Sequence, residues 1–190
     1  MRVAIFGGSF NPPHVGHQLV ALYVLETAAV DELWFVPCWK HPFDKALEAF
    51  ADRLRMCELA AAALGSRVRV SDVEAQLGGE ESPTLLTIKG LQARHPEDEF
   101  LLVIGADLEP ELPLWYGADE LRRSVQMLVV GRGGFAGGSA VAMPAVSSTE
   151  IRARLRAGES VEGLIPRSVR DYIRQRGLYS DRAVPNPKES

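Results

Sequence analysis

One stretch near the start of the chain concentrates residues that could do chemistry: Gly7-Gly8-Ser9-Phe10-Asn11-Pro12-Pro13-His14-Val15-Gly16-His17. It follows an apolar run and opens a segment with helical spacing. Gly7 and Gly8 have no Cβ, so the backbone there can approach a ligand closely. Pro12 and Pro13 fix the direction of the chain, and proline is tolerated in the first turn of a helix. His14 and His17 stand three apart and share one helical face, with Gly16 leaving room between them. Free N–H groups at a helix start, the positive end of its dipole and two imidazoles together make a site for phosphate oxygens. Each part alone has a plainer reading. Two glycines after a strand are usually a turn, and a histidine pair at this spacing is more often structural than catalytic. As metal ligands the two histidines lack an evident third partner. The spacing fits neither Gly-x-Gly-x-x-Gly nor a P-loop. The full eleven-residue combination is far more specific than its pieces.

A second group lies near the other end, at Ser147-Ser148-Thr149-Glu150-Ile151-Arg152. Ser147 with Glu150 three residues on fits a capping box, which is the structural reading. Three hydroxyls at a helix start also make an anion site, and Arg152 adds a permanent charge. The two roles can coexist, and two such helix starts suit a long polyanion. A third group is Gly105-Ala106-Asp107, after an apolar run, with Trp115-Tyr116 following. A carboxylate at a strand end can accept bonds from ribose hydroxyls, and it can equally cap a turn or helix. An indole can stack on a flat heterocycle, and it can equally be a core or interface aromatic.

The elements that must position these groups follow from patterning. Apolar runs of strand length recur at residues 3–6, 33–36, 68–70, 100–104, 127–130 and 141–146. The strongest are nearly continuous, as expected of strands covered on both faces. Helical patterns fill residues 15–29, 47–64 and 84–94 between them. This alternation implies an α/β fold with a doubly wound, mostly parallel sheet. Residues 149–157 and 167–176 read as two helices without a strand between them, a small C-terminal helical cap. We expect a single domain over residues 1–182, with 149–179 as its helical part and 183–190 as a frayed tail.

Composition narrows the function classes. Of 190 residues, 46% are hydrophobic, and 25 acidic against 21 basic side chains leave a net charge of −4. That is too apolar for disorder, and no apolar run approaches the roughly 20 residues of a membrane span. Two cysteines, Cys38 and Cys57, are too few for a disulfide framework, and the short apolar N-terminus stops at a double glycine; the expectation is a cytoplasmic protein. Mild acidity argues against nucleic acid as a partner. It conceals a basic section, because residues 150–182 hold eight arginines and five acids, beside the second helix start.

The eleven-residue stretch resembles the signature of the nucleotidyltransferase superfamily with a His-x-Gly-His motif. Its Gly-Gly-Ser-Phe-Asn-Pro-Pro-His-x-Gly-His form is similar to that of the bacterial nicotinate-nucleotide adenylyltransferases. The resemblance extends through Ser147-Ser148-Thr149 with Arg152, through Gly105-Ala106-Asp107 with Trp115, and to Gly177-Leu178-Tyr179, over nearly the whole chain. It implies a Rossmann-like sheet and transfer of the adenylyl group of ATP to nicotinate mononucleotide, giving deamido-NAD and pyrophosphate. It implies catalytic roles for His14, His17 and Arg152. ATP would be held by Gly7, Gly8, Ser9, Phe10, Gly16, Gly105, Asp107, Arg132, Ser147, Ser148 and Thr149. The mononucleotide would meet Thr84, Thr87, Trp115, Tyr116 and a basic residue after the second strand, Lys40 or Lys45. Mg²⁺ would come bound through the phosphates of ATP, with no protein side chain as ligand. The family's Pro-Pro-His-Lys/Arg is replaced here by His41-Pro42-Phe43-Asp44-Lys45, and its tyrosine before the first threonine by Pro83. The alternatives are the same chemistry on nicotinamide mononucleotide or phosphopantetheine, and a non-catalytic nucleotide sensor. A metal-dependent hydrolase would need further ligands beside His14 and His17.

Overall fold

The structure is a computed structural model and describes residues 1–40, 47–79, 83–131 and 143–180. Among the described residues five strands form one sheet: β1 (Arg2–Gly8), β2 (Glu32–Pro37), β3 (Val68–Val70), β4 (Glu99–Gly105) and β5 (Gln126–Val130). Their order is β3-β2-β1-β4-β5, and every pairing is parallel. The helices are α1 (Val15–Thr27), α2 (Phe50–Ala62), α3 (Val73–Leu77), α4 (Thr84–Arg94), α5 (Ala118–Ser124), α6 (Ser148–Ala157) and α7 (Arg167–Arg176), with a 3-10 turn at Glu109–Leu114.

Both sheet faces are covered, which explains the continuous apolar runs. Ala4, Leu33, Phe35, Leu101 and Val103 pack on one face against Ala21 and Val24 of α1 and Cys57 and Ala61 of α2. Val3, Ile5, Trp34, Val36, Leu102 and Ile104 point to the other face and meet Val73 of α3, Ile88 and Leu91 of α4 and Leu121 of α5. The doubly wound expectation is met, and the sheet is wholly parallel rather than mostly so. A separate cluster joins Met56 and Ala60 of α2 to Ile151 of α6, Val169 and Ile173 of α7, and Tyr179. The C-terminal cap therefore sits on the outer side of α2. Burial pushes both thiols up, that of Cys57 strongly.

Two expectations need correction, and two short helices were not foreseen. The apolar run at 141–146 is not a strand over its described part: Met143 donates one bond to the Gly131 carbonyl at 3.0 Å. Pro144 follows, has no N–H to give and cannot extend the ladder. Helix α2 starts at Phe50 rather than at residue 47, and α3 and α5 carry no helical periodicity long enough to be read. No helix among the described residues is long and apolar enough to cross a membrane. The tail from residue 181 lies outside the described residues.

Candidate active site

Chain order decides where a ligand can sit. After β1 the chain adds β2 and β3 on one side, then returns to place β4 and β5 on the other. The strand order reverses between β1 and β4, and a crevice opens beyond their carboxyl ends. Gly7 and Gly8 end β1 there, and Gly105 ends β4. A Cβ on Gly7 would meet nothing within 4 Å, so the backbone faces open space. A Cβ on Gly105 would run into the carboxylate oxygen of Asp107. Glycine is therefore what allows Asp107 to fold back over the end of β4.

Between β1 and α1 the chain turns sharply. Phe10 has φ of 44°, a left-handed conformation costly for a bulky side chain. Its ring repays this by burial, packing edge-on to Phe6 and His17 and against Phe35 with centroids 4.8–5.7 Å away. His14 then caps α1, and its backbone N–H donates to Nδ1 of His17 at 3.0 Å. A backbone amide can only donate, so His17 Nδ1 is an acceptor, and the ring proton sits on Nε2. The two imidazoles stack with centroids 3.6 Å apart. Gly16 makes this possible, because a Cβ there would lie 3.0 Å from Nδ1 of His14. The sequence reading of two histidines on one face is met, and the reason for the glycine between them becomes steric.

The second helix start lies against the first. Ser147 Oγ caps α6 by accepting from the Glu150 N–H at 3.2 Å, the half of the capping box read from sequence. Ser148 reaches across and donates to the Pro12 carbonyl at 2.9 Å. Arg152 donates to the Asn11 carbonyl at 2.8 Å and to Thr149 Oγ1 at 3.3 Å. Partial burial lowers the Arg152 pKa from its ordinary value, with the nearby Tyr179 acting in the opposite direction. Two segments more than 130 residues apart in sequence thus form one cationic, donor-rich wall.

The other side of the crevice carries the remaining candidates. Thr84 opens α4, and a Cβ on Gly117 would strike Leu85, so the Trp115–Tyr116 turn rests on the start of that helix. Trp115 is half-buried, and Tyr116 is exposed. Thr87 is buried and donates its hydroxyl to Glu74 at 2.8 Å. It is committed within the protein, and its direct contact with a ligand is narrowed to an oxygen lone pair. Lys40 is exposed after β2. Lys45 and Arg132 lie outside the described residues.

Two residues that sequence reasoning missed organise this edge. Glu74 is buried, accepts from Thr87 and from the Trp39 N–H at 2.9 Å, and so ties the end of β2 to α4. Arg53 is 1% exposed. It donates to the carbonyls of Ser9 (3.0 Å), Glu48 (3.0 Å) and Trp39 (3.3 Å), with its guanidinium 5.4 Å from the Phe50 ring centroid. No carboxylate among the described residues pairs with it. An arginine in an amphipathic pattern reads as surface, and only the Ala- and Leu-rich surroundings of Arg53 hinted otherwise.

A parallel sheet whose switch point is flanked by two linked helix starts, two imidazoles and a guanidinium defines a protein that handles phosphate-bearing ligands. Comparison with known proteins narrows this. The cytidylyltransferase-like family model matches residues 5–154. A protein of Anaeromyxobacter dehalogenans named "Probable nicotinate-nucleotide adenylyltransferase" is 46% identical over 94% of this chain and 96% of its own length. One of the same name from Geobacillus kaustophilus is 40% identical over 100% of this chain and 91% of its own. Among solved structures, the Plasmodium falciparum nicotinic acid mononucleotide adenylyltransferase complexed with NaAD shares the fold. Its TM-score is 0.81 at 24% identity, covering 94% of this chain and 97% of that one. The chain belongs to the cytidylyltransferase-like family and, within it, to the nicotinate-nucleotide adenylyltransferases.

Proposed function

We propose that the protein transfers the adenylyl group of ATP to nicotinate mononucleotide, forming deamido-NAD and pyrophosphate in NAD biosynthesis. The observation that carries this reading is the bond from Ser148 to the Pro12 carbonyl, which fuses the His14–His17 and Ser147–Arg152 helix starts into one surface. A surface of helix N-termini, imidazoles and a guanidinium attracts the charge of a triphosphate. The nearly full-length identity to proteins named for this reaction supports it.

The acceptor's phosphate oxygen attacks the α-phosphorus, and the bond to the bridging oxygen breaks, releasing pyrophosphate. The attacking oxygen is already ionised, so no protein nucleophile or strong base is needed. Catalysis then rests on alignment and on neutralising charge at the α-phosphate and leaving group. His17 offers Nε2–H to phosphate oxygen, and His14 stands stacked beside it. Arg152, the hydroxyls of Ser147 and Thr149 and the backbone N–H of Ser148, whose own hydroxyl is given to Pro12, hold the outer phosphates. The backbone of Gly7, Gly8, Ser9 and Phe10 lies under the nucleotide, and Asp107 accepts from ribose. On the acceptor side, Trp115 stacks on the pyridine ring, Thr84 borders it, and Lys40 or Lys45 meets the mononucleotide phosphate. The donors on the phosphate side are neutral or cationic. They suit phosphate oxygens rather than a cation, so Mg²⁺ would be held mainly by ATP and would supply charge neutralisation there.

The direct test is pyrophosphate release with ATP and, side by side, nicotinate mononucleotide, nicotinamide mononucleotide and phosphopantetheine. Preference for the first is expected, and preference for either other acceptor overturns the substrate assignment. Two variants probe the wall itself. Gly16→Ala should fold at least as stably, since alanine is the better helix former. Its Cβ nevertheless pushes the His14 ring by a few tenths of an ångström, so turnover should fall about tenfold; unchanged turnover would show that the stack is not needed. Arg152→Ala should raise the KM for ATP roughly 10- to 100-fold, the worth of a charged hydrogen bond, with the KM for the acceptor unchanged. Equal effects on both substrates would place Arg152 elsewhere.

A further inference from the structure

The last described turn of the chain reaches back into the site. After α7 the chain passes Gly177 and Leu178, and Tyr179 adopts φ of 60°. Its hydroxyl donates to Oδ1 of Asn11 at 2.8 Å, and both residues are buried. Asn11 Oδ1 also accepts from the Glu48 N–H at 3.2 Å, and Glu48 Oε1 accepts from the Tyr179 N–H at 3.3 Å. A closed triangle thus joins the first loop, the start of α2 and the end of the C-terminal cap. The Asn11 backbone carbonyl receives Arg152, and the next carbonyl, Pro12, receives Ser148. The Asn11 side chain is therefore the anchor for both carbonyls that aim the second helix start at the phosphates.

We propose that Tyr179 is a positioning residue for ATP: through Asn11 it fixes the carbonyls that orient Arg152 and Ser148. This rests on the adenylyl-transfer reading for its ligand. The mechanism is geometric. A left-handed conformation is unfavourable for tyrosine, so burial of the ring and the hydroxyl bond together hold the turn. Loss of the hydroxyl leaves the ring in its cluster with Ile165 and Ile173 but removes the shorter of the two bonds described at Asn11 Oδ1, so the carboxamide is held less tightly. Arg152 and Ser148 then lose a fixed register, although neither touches Tyr179 through a hydrogen bond. Burial raises the phenol's pKa far above its ordinary value, with the Glu48 carboxylate adding to this. Tyr179 therefore remains a neutral donor through the working pH range, and its effect is constant with pH.

The test measures affinity for a non-hydrolysable ATP analogue by calorimetry, which needs no acceptor. Tyr179→Phe should weaken binding about 3- to 10-fold, the worth of one neutral hydrogen bond, while KM for nicotinate mononucleotide stays constant. Tyr172→Phe is the matched control. It removes a hydroxyl in the same cap, bonded to Asp52 at 2.7 Å, without touching Asn11, and should leave analogue affinity unchanged. In an Asn11→Ala background, Tyr179→Phe should change affinity no further, because the path through Asn11 is already cut. Unaltered affinity in Tyr179→Phe, an equal loss in Tyr172→Phe, or simple additivity with Asn11→Ala each overturns the proposal. Failure of the unmutated protein to bind the analogue would instead overturn the adenylyl-transfer reading itself.

Discussion

His17→Asn should lower kcat roughly 10²- to 10³-fold while leaving the melting temperature close to that of the unmutated protein. The magnitude is that of removing one preorganised donor from a developing negative charge. Asparagine is chosen because the imidazole does two jobs at its two nitrogens. Nδ1 accepts the His14 N–H at 3.0 Å and thereby satisfies a donor that would otherwise be left at the helix start. An asparagine Oδ1 can occupy that position and keep the bond, but nothing then extends to where Nε2 stands. Stability and catalysis are therefore separated in one variant. Loss of turnover without loss of stability is the expected outcome, read by pyrophosphate release and thermal unfolding. If turnover survives, the histidine serves only as a helix cap, and the catalytic assignment of the motif fails.

The second large effect falls on a residue that touches no predicted substrate. Arg53→Met keeps most of the side chain's volume but removes the guanidinium, and the carbonyls of Ser9, Glu48 and Trp39 lose their shared donor. A buried acceptor without a partner costs about 1–3 kcal/mol. Removing an unpaired buried charge returns part of this. A net loss of about 3 kcal/mol is expected, which at this chain length lowers the melting temperature by roughly 10 °C. Ser9 lies in the loop after β1 that is proposed to hold the nucleotide, and Trp39 beside Lys40, so their relative position should loosen as well. Turnover should fall at least about tenfold at temperatures where the variant is fully folded. Arg53→Lys retains the charge but not the fork of donors, and it should recover little of either property. A variant as stable and active as the unmutated protein would show that the three loops hold their places without Arg53.

Much of this protein could be read before folding because its chemistry is locally encoded. His14 and His17 are close neighbours on any helix that starts there, and Ser147 caps α6 from three residues away in sequence. Strands buried on both faces leave continuous apolar runs, so four of the six runs mark strands that extend by at most two residues at either end, and 68–70 matches β3. The run at 141–146 misled for a physical reason: apolar content says nothing about whether a neighbouring strand has an N–H to meet, and Pro144 has none to offer.

The tertiary structure decided which side chains are spent on holding the others. Thr87 has the type and place of a substrate contact, yet its hydroxyl is turned to Glu74, on a different helix. Arg53, Glu74, Asn11 and Tyr179 are buried polar residues whose partners lie between 5 and 168 positions away. A buried polar group is tolerated only where its bonds are made, and that requirement is met in three dimensions, with no trace in local spacing. The sequence by itself determined the type of sheet, the two helix starts proposed to hold phosphate and the class of reaction. Only the folded chain brought those two starts together, through the Ser148 and Arg152 bonds to the loop after β1, because contact between the chain's two ends depends on how the cap packs against α2.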